Sequence, residues 1–108
     1  MTIHVVLVGP DRGLGPALES RGARVARVDG VGSGESLRAA GIEDADLLVL
    51  TDVGEATAVP VALEVNPELR VVVYAPDALP EFVRGQVDLA VSPALLDAAV
   101  VAEELTGD

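Results

Sequence analysis

The chain has 108 residues, the size of one ordinary domain, and half of them are apolar, which excludes a disordered chain. Its 18 carboxylates face seven arginines and no lysine, and the resulting net charge of −11 argues against binding to nucleic acid or to an anionic membrane. The absence of cysteine excludes disulfides and thiol chemistry, and a single histidine cannot form a histidine metal site.

Five short apolar runs alternate with helical stretches along the chain. The predicted strands are 3–8, 24–28, 46–50, 69–74 and 87–91. The predicted helices are 14–20, 33–40, 55–65 and 93–105, with a short turn or helix at 79–84. Near-continuous apolar strands are typical of a parallel sheet that is buried on both faces. The pattern therefore predicts a single α/β domain over residues 1–108, a Rossmann-like three-layer sandwich with a five-stranded parallel sheet.

Pro60 and Pro93 bear on where two of the predicted helices begin. Pro60 lies inside the third helix, where it should kink that helix or begin a second one. Ser92 and Pro93 have the residue types that favour an N-cap followed by the first helical position, so we expect the last helix to begin there.

The loop after the first strand is the strongest candidate for a ligand site, because such sheets bind ligands beyond the carboxyl ends of their strands. Its sequence is Gly9-Pro10-Asp11-Arg12-Gly13-Leu14-Gly15. Glycines let a backbone approach a phosphate, and the following helix offers free N–H groups. Arg12 could supply a further phosphate contact, whereas Pro10 removes a donor. The spacing differs from G-x-G-x-x-G, so the alternative is a plain strand-to-helix turn.

Acidic and hydroxyl residues after the next strands could complete a nucleotide site. Asp29 lies 20 residues after Gly9, where the ribose hydroxyls of a dinucleotide find a carboxylate, although it could also be a solvated turn residue. Thr51 and Asp52 follow the third strand, and Asp52 could simply cap the next helix. Tyr74 ends the fourth strand, where its ring could meet a base or cover the sheet edge.

The inventory for catalysis is small. No nucleophile stands beside a base, and His4 lies within the first strand, away from the loops. Only carboxylates remain for general acid–base work. This argues against a catalytic domain and leaves a small nucleotide-dependent enzyme, or a fragment of one, as the third alternative.

Composition also bears on habitat and location. Excess acid, absent lysine and an aliphatic core of 19 Val, 16 Ala and 14 Leu fit a halophilic cytoplasm, where counterions screen self-repulsion. The alternative is an acidic mesophilic protein. The longest apolar runs are five or six residues, and the first residues lack a basic segment, so we expect a soluble cytoplasmic protein with neither membrane insertion nor a signal peptide.

The middle of the chain resembles the TrkA N-terminal (RCK) domain of potassium-transport regulators. The resemblance is carried by SGESLRAAGIEDADLLVLTD at 33–52, by Asn66-Pro67 and by VDLAVSP at 87–93. It implies a Rossmann fold that binds NAD(H) or an adenine nucleotide as a regulatory ligand, with phosphate contacts at 9–15 and ribose contacts at Asp29. The segment between Asp29 and Ser33 is too short for one strand–helix unit of that family, so the expected strand order is 2-1-3-4-5.

The same strand order makes the chain similar to response-regulator receiver domains. DLLVLTD at 46–52 and VSP at 91–93 are similar to receiver strands three and five. Receivers need an acidic pair after strand one, an acceptor Asp after strand three and a Lys after strand five. Here Asp11 is a single acid, Asp52 would be the acceptor, and Ser92 occupies the lysine position. This resemblance implies at most a receiver-like interaction module.

The sequence thus predicts a nucleotide-binding regulatory domain without catalysis, with NAD or an adenine nucleotide as ligand. A protein-interaction module with no small ligand is the first alternative. The partner would then be a second protein or a second copy, because the last helix carries an Ala/Val/Leu stripe that could form a homodimer face.

Overall fold

The computed structural model describes residues 2–28 and 32–107. The strands are β1 (His4–Val8), β2 (Arg24–Val28), β3 (Leu47–Leu50), β4 (Arg70–Tyr74) and β5 (Leu89–Val91). The helices are α1 (Leu14–Ser20), α2 (Gly34–Ala39), α3 (Ala58–Val65) and α4 (Ala98–Thr106), and short 3-10 turns occupy Ile42–Asp44, Val53–Glu55 and Glu81–Gln86.

The five strands form one parallel sheet in the order β2-β1-β3-β4-β5, which confirms the predicted fold class and strand order. Val8 lies opposite both Val28 and Leu50. The strands therefore end at one level, and the loops that follow them gather at one edge of the sheet, as expected for this architecture.

The sheet separates two layers of core. Leu48 and Leu50 of β3 pack in the layer covered by α2 and α3, whereas Leu47 and Val49 pack in the layer covered by α1 and α4. All four side chains are buried, and each such burial stabilises the fold by about 1.5 to 3 kcal/mol. This two-sided burial explains why the strand sequences are continuous apolar runs.

Asn66 ties the end of α3 to the turn before β3. Its Nδ2 donates to the carbonyl oxygens of Ile42, Glu43 and Ala45 at 3.0, 3.3 and 3.1 Å. Its Oδ1 accepts from the backbone N–H of Glu68 at 3.1 Å. The sequence indicated only that this residue ends a helix, but the side chain also satisfies buried backbone groups across the chain.

Two helix starts differ from the prediction. The helix predicted over 55–65 begins at Ala58, so that Pro60 lies in its first turn, where a missing N–H costs no helical hydrogen bond. The predicted start of the last helix at Pro93 was wrong, since α4 begins at Ala98. Ser92 caps only a turn, through the N–H of Ala94, whereas Asp97 accepts from the N–H of Val100 and caps the helix.

Within the described residues, no helix combines the length and the apolar character that a membrane crossing needs.

Candidate functional site

The candidate loop leaves β1 through a backbone that only glycine adopts easily. Gly9 has φ of +114°, and a Cβ built there would lie 2.5 Å from Thr51 Oγ1 and 3.1 Å from the Cβ of Asp52. Arg12 and Gly13 also have positive φ, at 54° and 78°. Gly9 is therefore needed for the close approach between the ends of β1 and β3, whether or not a ligand binds.

Asp11 places a carboxylate at the start of α1. Its Oδ1 accepts from the backbone N–H of Gly15 at 3.1 Å, and its Oδ2 accepts from Nε of Arg27 at 2.8 Å. Arg27 also pairs with Glu19 at 3.1 Å, and hydrogen bonds to Glu19 and Asp11 raise the pKa of its guanidinium. The loop thus uses its own acid where a phosphate was predicted to lie.

Arg12 and the residues after β3 are held by local bonds. Nε of Arg12 donates to the carbonyl oxygen of Thr51 at 2.8 Å, and Oγ1 of buried Thr51 donates to that of Val8 at 3.2 Å. Oδ1 of Asp52 accepts from the N–H of Gly54 at 2.8 Å, as the capping alternative predicted. The structure therefore brings Gly9, Arg12, Thr51 and Asp52 together at the sheet edge.

Three other predicted site residues contribute less to this arrangement. Pro10 and Gly13 are exposed on the loop, and Asp29 lies outside the described residues. A carboxylate does lie beside the segment that leads into α2. It belongs to Glu55, whose Oε1 accepts from the N–H of Gly32 at 3.0 Å. In the sequence Glu55 stands only as an acid in the first turn of the predicted helix 55–65, and its contact with Gly32 depends on the fold.

Tyr74 covers the sheet edge, which is one of its two predicted roles. Its side chain is 2 % exposed and packs in the layer of α1 and α4, and its hydroxyl donates to the carbonyl oxygen of Leu96 at 2.8 Å. Burial raises the pKa of Tyr74, and the charge of Asp97 raises it further, whereas Arg12 opposes the shift. Arg12 and Asp97 therefore act on one buried hydroxyl, a link that sequence spacing could not reveal.

We expect Tyr74 to titrate above its ordinary pKa of 10.0 in the folded protein. The contribution of this group to stability is then complete below that value and is lost as the pH rises through the folded pKa. Tyr74 is the chain's one tyrosine, and the chain has no tryptophan, so the ultraviolet absorbance of tyrosinate reports it directly. Equal titration midpoints for the folded and the guanidinium-unfolded protein would contradict the expectation. The Tyr74→Phe variant supplies the background absorbance without tyrosine.

The positions that matter in receivers carry other chemistry here. Thr51 follows β3 directly, and Asp52 comes one residue later with one oxygen committed to a cap. Ser92 follows β5 and accepts from the N–H of Ala94, and Asp11 is bound to Arg27. Among residues 2–28 and 32–107, no group of three or more His, Cys, Asp or Glu residues could hold a metal ion.

The surface beside β5 is the second candidate site. A groove of about 540 Å³ lies between β4, β5 and the connection that joins them. Apolar residues form much of its wall: Val73, Ala75, Leu79, Val87 and Ala90. The segments before and after β5 also expose large apolar side chains: Phe82, Leu95, Leu96 and Val100.

Comparison with solved structures shows a shared fold. An orphan response regulator of H. pylori has a TM-score of 0.72 at 16 % identity, over 95 % of this chain and 92 % of that one. A pilus assembly-related protein of Burkholderia pseudomallei K96243 has a TM-score of 0.68 at 20 % identity, over 95 % and 86 %. A pilus assembly protein (CpaE) of Burkholderia thailandensis E264 has a TM-score of 0.67 at 19 % identity, over 97 % and 95 %.

These likenesses fit the receiver resemblance and not the TrkA N-terminal one, so the latter expectation is corrected. Between β2 and β3 the described residues form α2 and a 3-10 turn and no additional strand, as the short segment there predicted. No curated protein matches the chain. The model of one family, described as a family of unknown function (DUF7126), matches residues 5–105. With nearly its whole length matched, the chain belongs to DUF7126.

Proposed function

We propose that this chain is a receiver-like interaction module that binds a protein partner and takes neither a nucleotide nor a phosphoryl group. The observation that carries the proposal is the carboxylate of Asp11, which accepts from the N–H of Gly15 at the start of α1. A phosphate entering this loop would meet that negative charge instead of a free donor. Like charges at such short range repel each other, and this repulsion costs binding energy.

The other polar groups of this edge support the same reading. Nε of Arg12, the predicted phosphate contact, donates to the carbonyl of Thr51. The hydroxyl of Tyr74 donates to the carbonyl of Leu96, and Oδ1 of Asp52 caps a turn. Donors that already have internal partners gain little from a ligand, because each new hydrogen bond replaces an existing one.

Phosphoryl transfer is disfavoured by the residues that stand at the functional positions of receivers. The chain has no lysine, and Ser92 stands where a receiver has one. The single acid after β1, Asp11, is bound to Arg27 at 2.8 Å and is not one of a pair. A domain that has the receiver fold and lacks this chemistry acts through its surface, by binding another protein. The solved proteins of this fold include a response regulator and pilus assembly proteins, a setting consistent with a protein partner.

We expect no nucleotide to stabilise the protein. Thermal unfolding is measured in molar KCl with NAD, NADH, NADP, ATP, ADP, AMP, CTP and cyclic dinucleotides. A ligand at about 100 times its dissociation constant would add roughly 2.7 kcal/mol, which shifts the melting temperature of a domain of this size by many degrees. Unchanged melting across the panel supports the proposal.

A reproducible shift with one nucleotide would contradict the proposal and favour the nucleotide sensor predicted from the sequence. Arg12→Ala supplies the control for such a shift, because it removes the one guanidinium of the loop while the arginine side chain itself is exposed. A shift that survives Arg12→Ala would place the nucleotide away from this loop, and it would still contradict the proposal.

A further inference from the structure

We propose that the β5 side of the molecule binds a positively charged polypeptide segment that carries apolar side chains. This inference rests on the proposed function, and it names the surface and the chemistry of the partner. Three independent features of the described residues carry it: the distribution of exposed apolar side chains, the groove beside β5 and the distribution of charge.

The large apolar side chains that reach solvent are confined to one segment. Among the described residues they are Phe82, Leu95, Leu96 and Val100, which are 59, 81, 39 and 42 % exposed. All of them fall between residues 82 and 100, in the connection before β5, the turn after it and the first turn of α4. Single exposed apolar residues are ordinary, but here they all belong to the segments that flank β5, on the α3 side of the sheet for Phe82 and on the α4 side for Val100. The two flanks of β5 are therefore where this molecule exposes apolar side chains to a partner.

The groove exists because the connection between β4 and β5 contains only the 3-10 turn Glu81–Gln86 where a full helix would cover the sheet. Val83 of that turn is buried in the core, whereas Ala90 on β5 is exposed and lines the groove. β5 is also the last strand of the sheet, with one edge paired to β4 and no described strand on the other. Apolar side chains of a partner can therefore enter beside β5.

The distribution of charged residues indicates which kind of partner this side of the molecule would bind. Residues 52–108 hold eleven carboxylates and two arginines, whereas residues 1–51 hold seven and five. Six carboxylates belong to the segments around β5: Asp77, Glu81, Asp88, Asp97, Glu103 and Glu104. Asp77 and Asp88 line the groove together with Arg84, the one cation of these segments, whose Nη1 lies 3.9 Å from Glu81.

An apolar groove within an acidic part of the chain complements a basic segment and repels a like-charged one. A second copy of this chain would bring a further net charge of −11 to the contact, which opposes self-association through this side. The occupant that satisfies both the apolar groove and the acidic segments around β5 is a basic segment with apolar side chains.

The test uses a short synthetic amphipathic peptide of leucine and arginine as the probe. A second peptide with serine in place of leucine has the same charge. Binding to the whole protein is followed by amide chemical shifts at several KCl concentrations. We expect the leucine peptide to shift amides within residues 76–105, and we expect Leu95→Ser and Phe82→Ser each to weaken its binding about tenfold. Both side chains are exposed, so neither change should affect folding.

Charge is tested with a matched pair of variants. Asp77→Asn removes a carboxylate that lines the groove, whereas Glu43→Gln removes an exposed one from the turn before β3. Weaker binding for Asp77→Asn alone supports the proposal, and equal weakening by both variants overturns it in favour of general attraction to an acidic protein. Equal affinity for the serine peptide overturns it as well.

Two further outcomes would overturn the proposal. Sedimentation that shows a dimer of the unmodified protein, dissociated by Leu95→Ser, would identify a second copy as the occupant of this surface. Absence of any peptide binding would reject the basic partner. Neither result affects the proposed function, which fails if a nucleotide stabilises the protein or if the chain accepts a phosphoryl group.

Discussion

Replacing Asn66 with alanine is expected to lower the free energy of unfolding by about 3 kcal/mol. The amide donates to the carbonyls of Ile42, Glu43 and Ala45 and accepts from the N–H of Glu68, and it is nearly buried. Alanine would leave the buried carbonyl of Ala45 without this partner and would weaken the satisfaction of the Ile42 carbonyl, which also accepts from the N–H of Ala45 at 3.3 Å. An unsatisfied buried acceptor costs about 1 to 3 kcal/mol. Chemical denaturation with urea measures the difference.

The matched control is Gln86→Ala, which removes an amide from an exposed position and should change stability by less than about 0.5 kcal/mol. Asn66→Asp separates hydrogen bonding from packing, because a carboxylate of similar shape would face three carbonyl oxygens. We expect Asn66→Asp to be less stable than Asn66→Ala at neutral pH and to recover as acid restores a donor. Equal stabilities for Asn66→Ala and the unmodified protein would refute the bracing role of this side chain.

Replacing Gly9 with alanine is expected to cost about 4 kcal/mol. The backbone of Gly9 has φ of +114°, which side-chain-bearing residues rarely adopt. The new Cβ would also lie 2.5 Å from Oγ1 of Thr51 and 3.1 Å from the backbone nitrogen of Asp52. Since Asp52 follows β3 in the sheet centre, relief of the overlap would require the ends of β1 and β3 to separate.

Gly22→Ala is the control for backbone strain alone. Gly22 has φ of +89°, and a Cβ there would meet nothing within 4 Å, so we expect a cost of about 1 to 2 kcal/mol. The difference between the two variants then measures the steric overlap at Gly9. Similar costs for both would mean that the contact with Thr51 and Asp52 is easily relieved, contrary to our interpretation.

Local patterns in the sequence were sufficient to predict the strands of the sheet and their order. The strand at 24–28 and the helix at 14–20 have the predicted bounds, and the strand order is the predicted one. Continuous aliphatic runs and glycines at turns carry this information because burial on two faces and positive φ restrict residue type directly. The start of α4 was missed because Ser92 and Asp97 are both favourable caps, and tertiary packing chose between them.

The chemistry of the candidate site was harder to predict, since it depends on contacts between distant residues. The loop glycines were visible in the sequence, but the bond from Arg27 to Asp11 spans 16 positions and requires α1 to lie beside β2. The bond from Tyr74 to the carbonyl of Leu96 likewise depends on the turn before α4. A glycine-rich loop shows that the backbone turns sharply, and only its side-chain partners show whether donors remain for a ligand.

The sheet divides the interior into two compartments with a shared wall. Neighbouring residues Leu47 and Leu48 point into different compartments, and Leu18 of α1 and Leu37 of α2 each belong to one compartment alone. Side chains that share no neighbour contribute independently, so the energetic costs of truncating Leu18 and Leu37 should simply add. Such modularity means that one half of the interior can be repacked, by evolution or by design, while the other half keeps its arrangement.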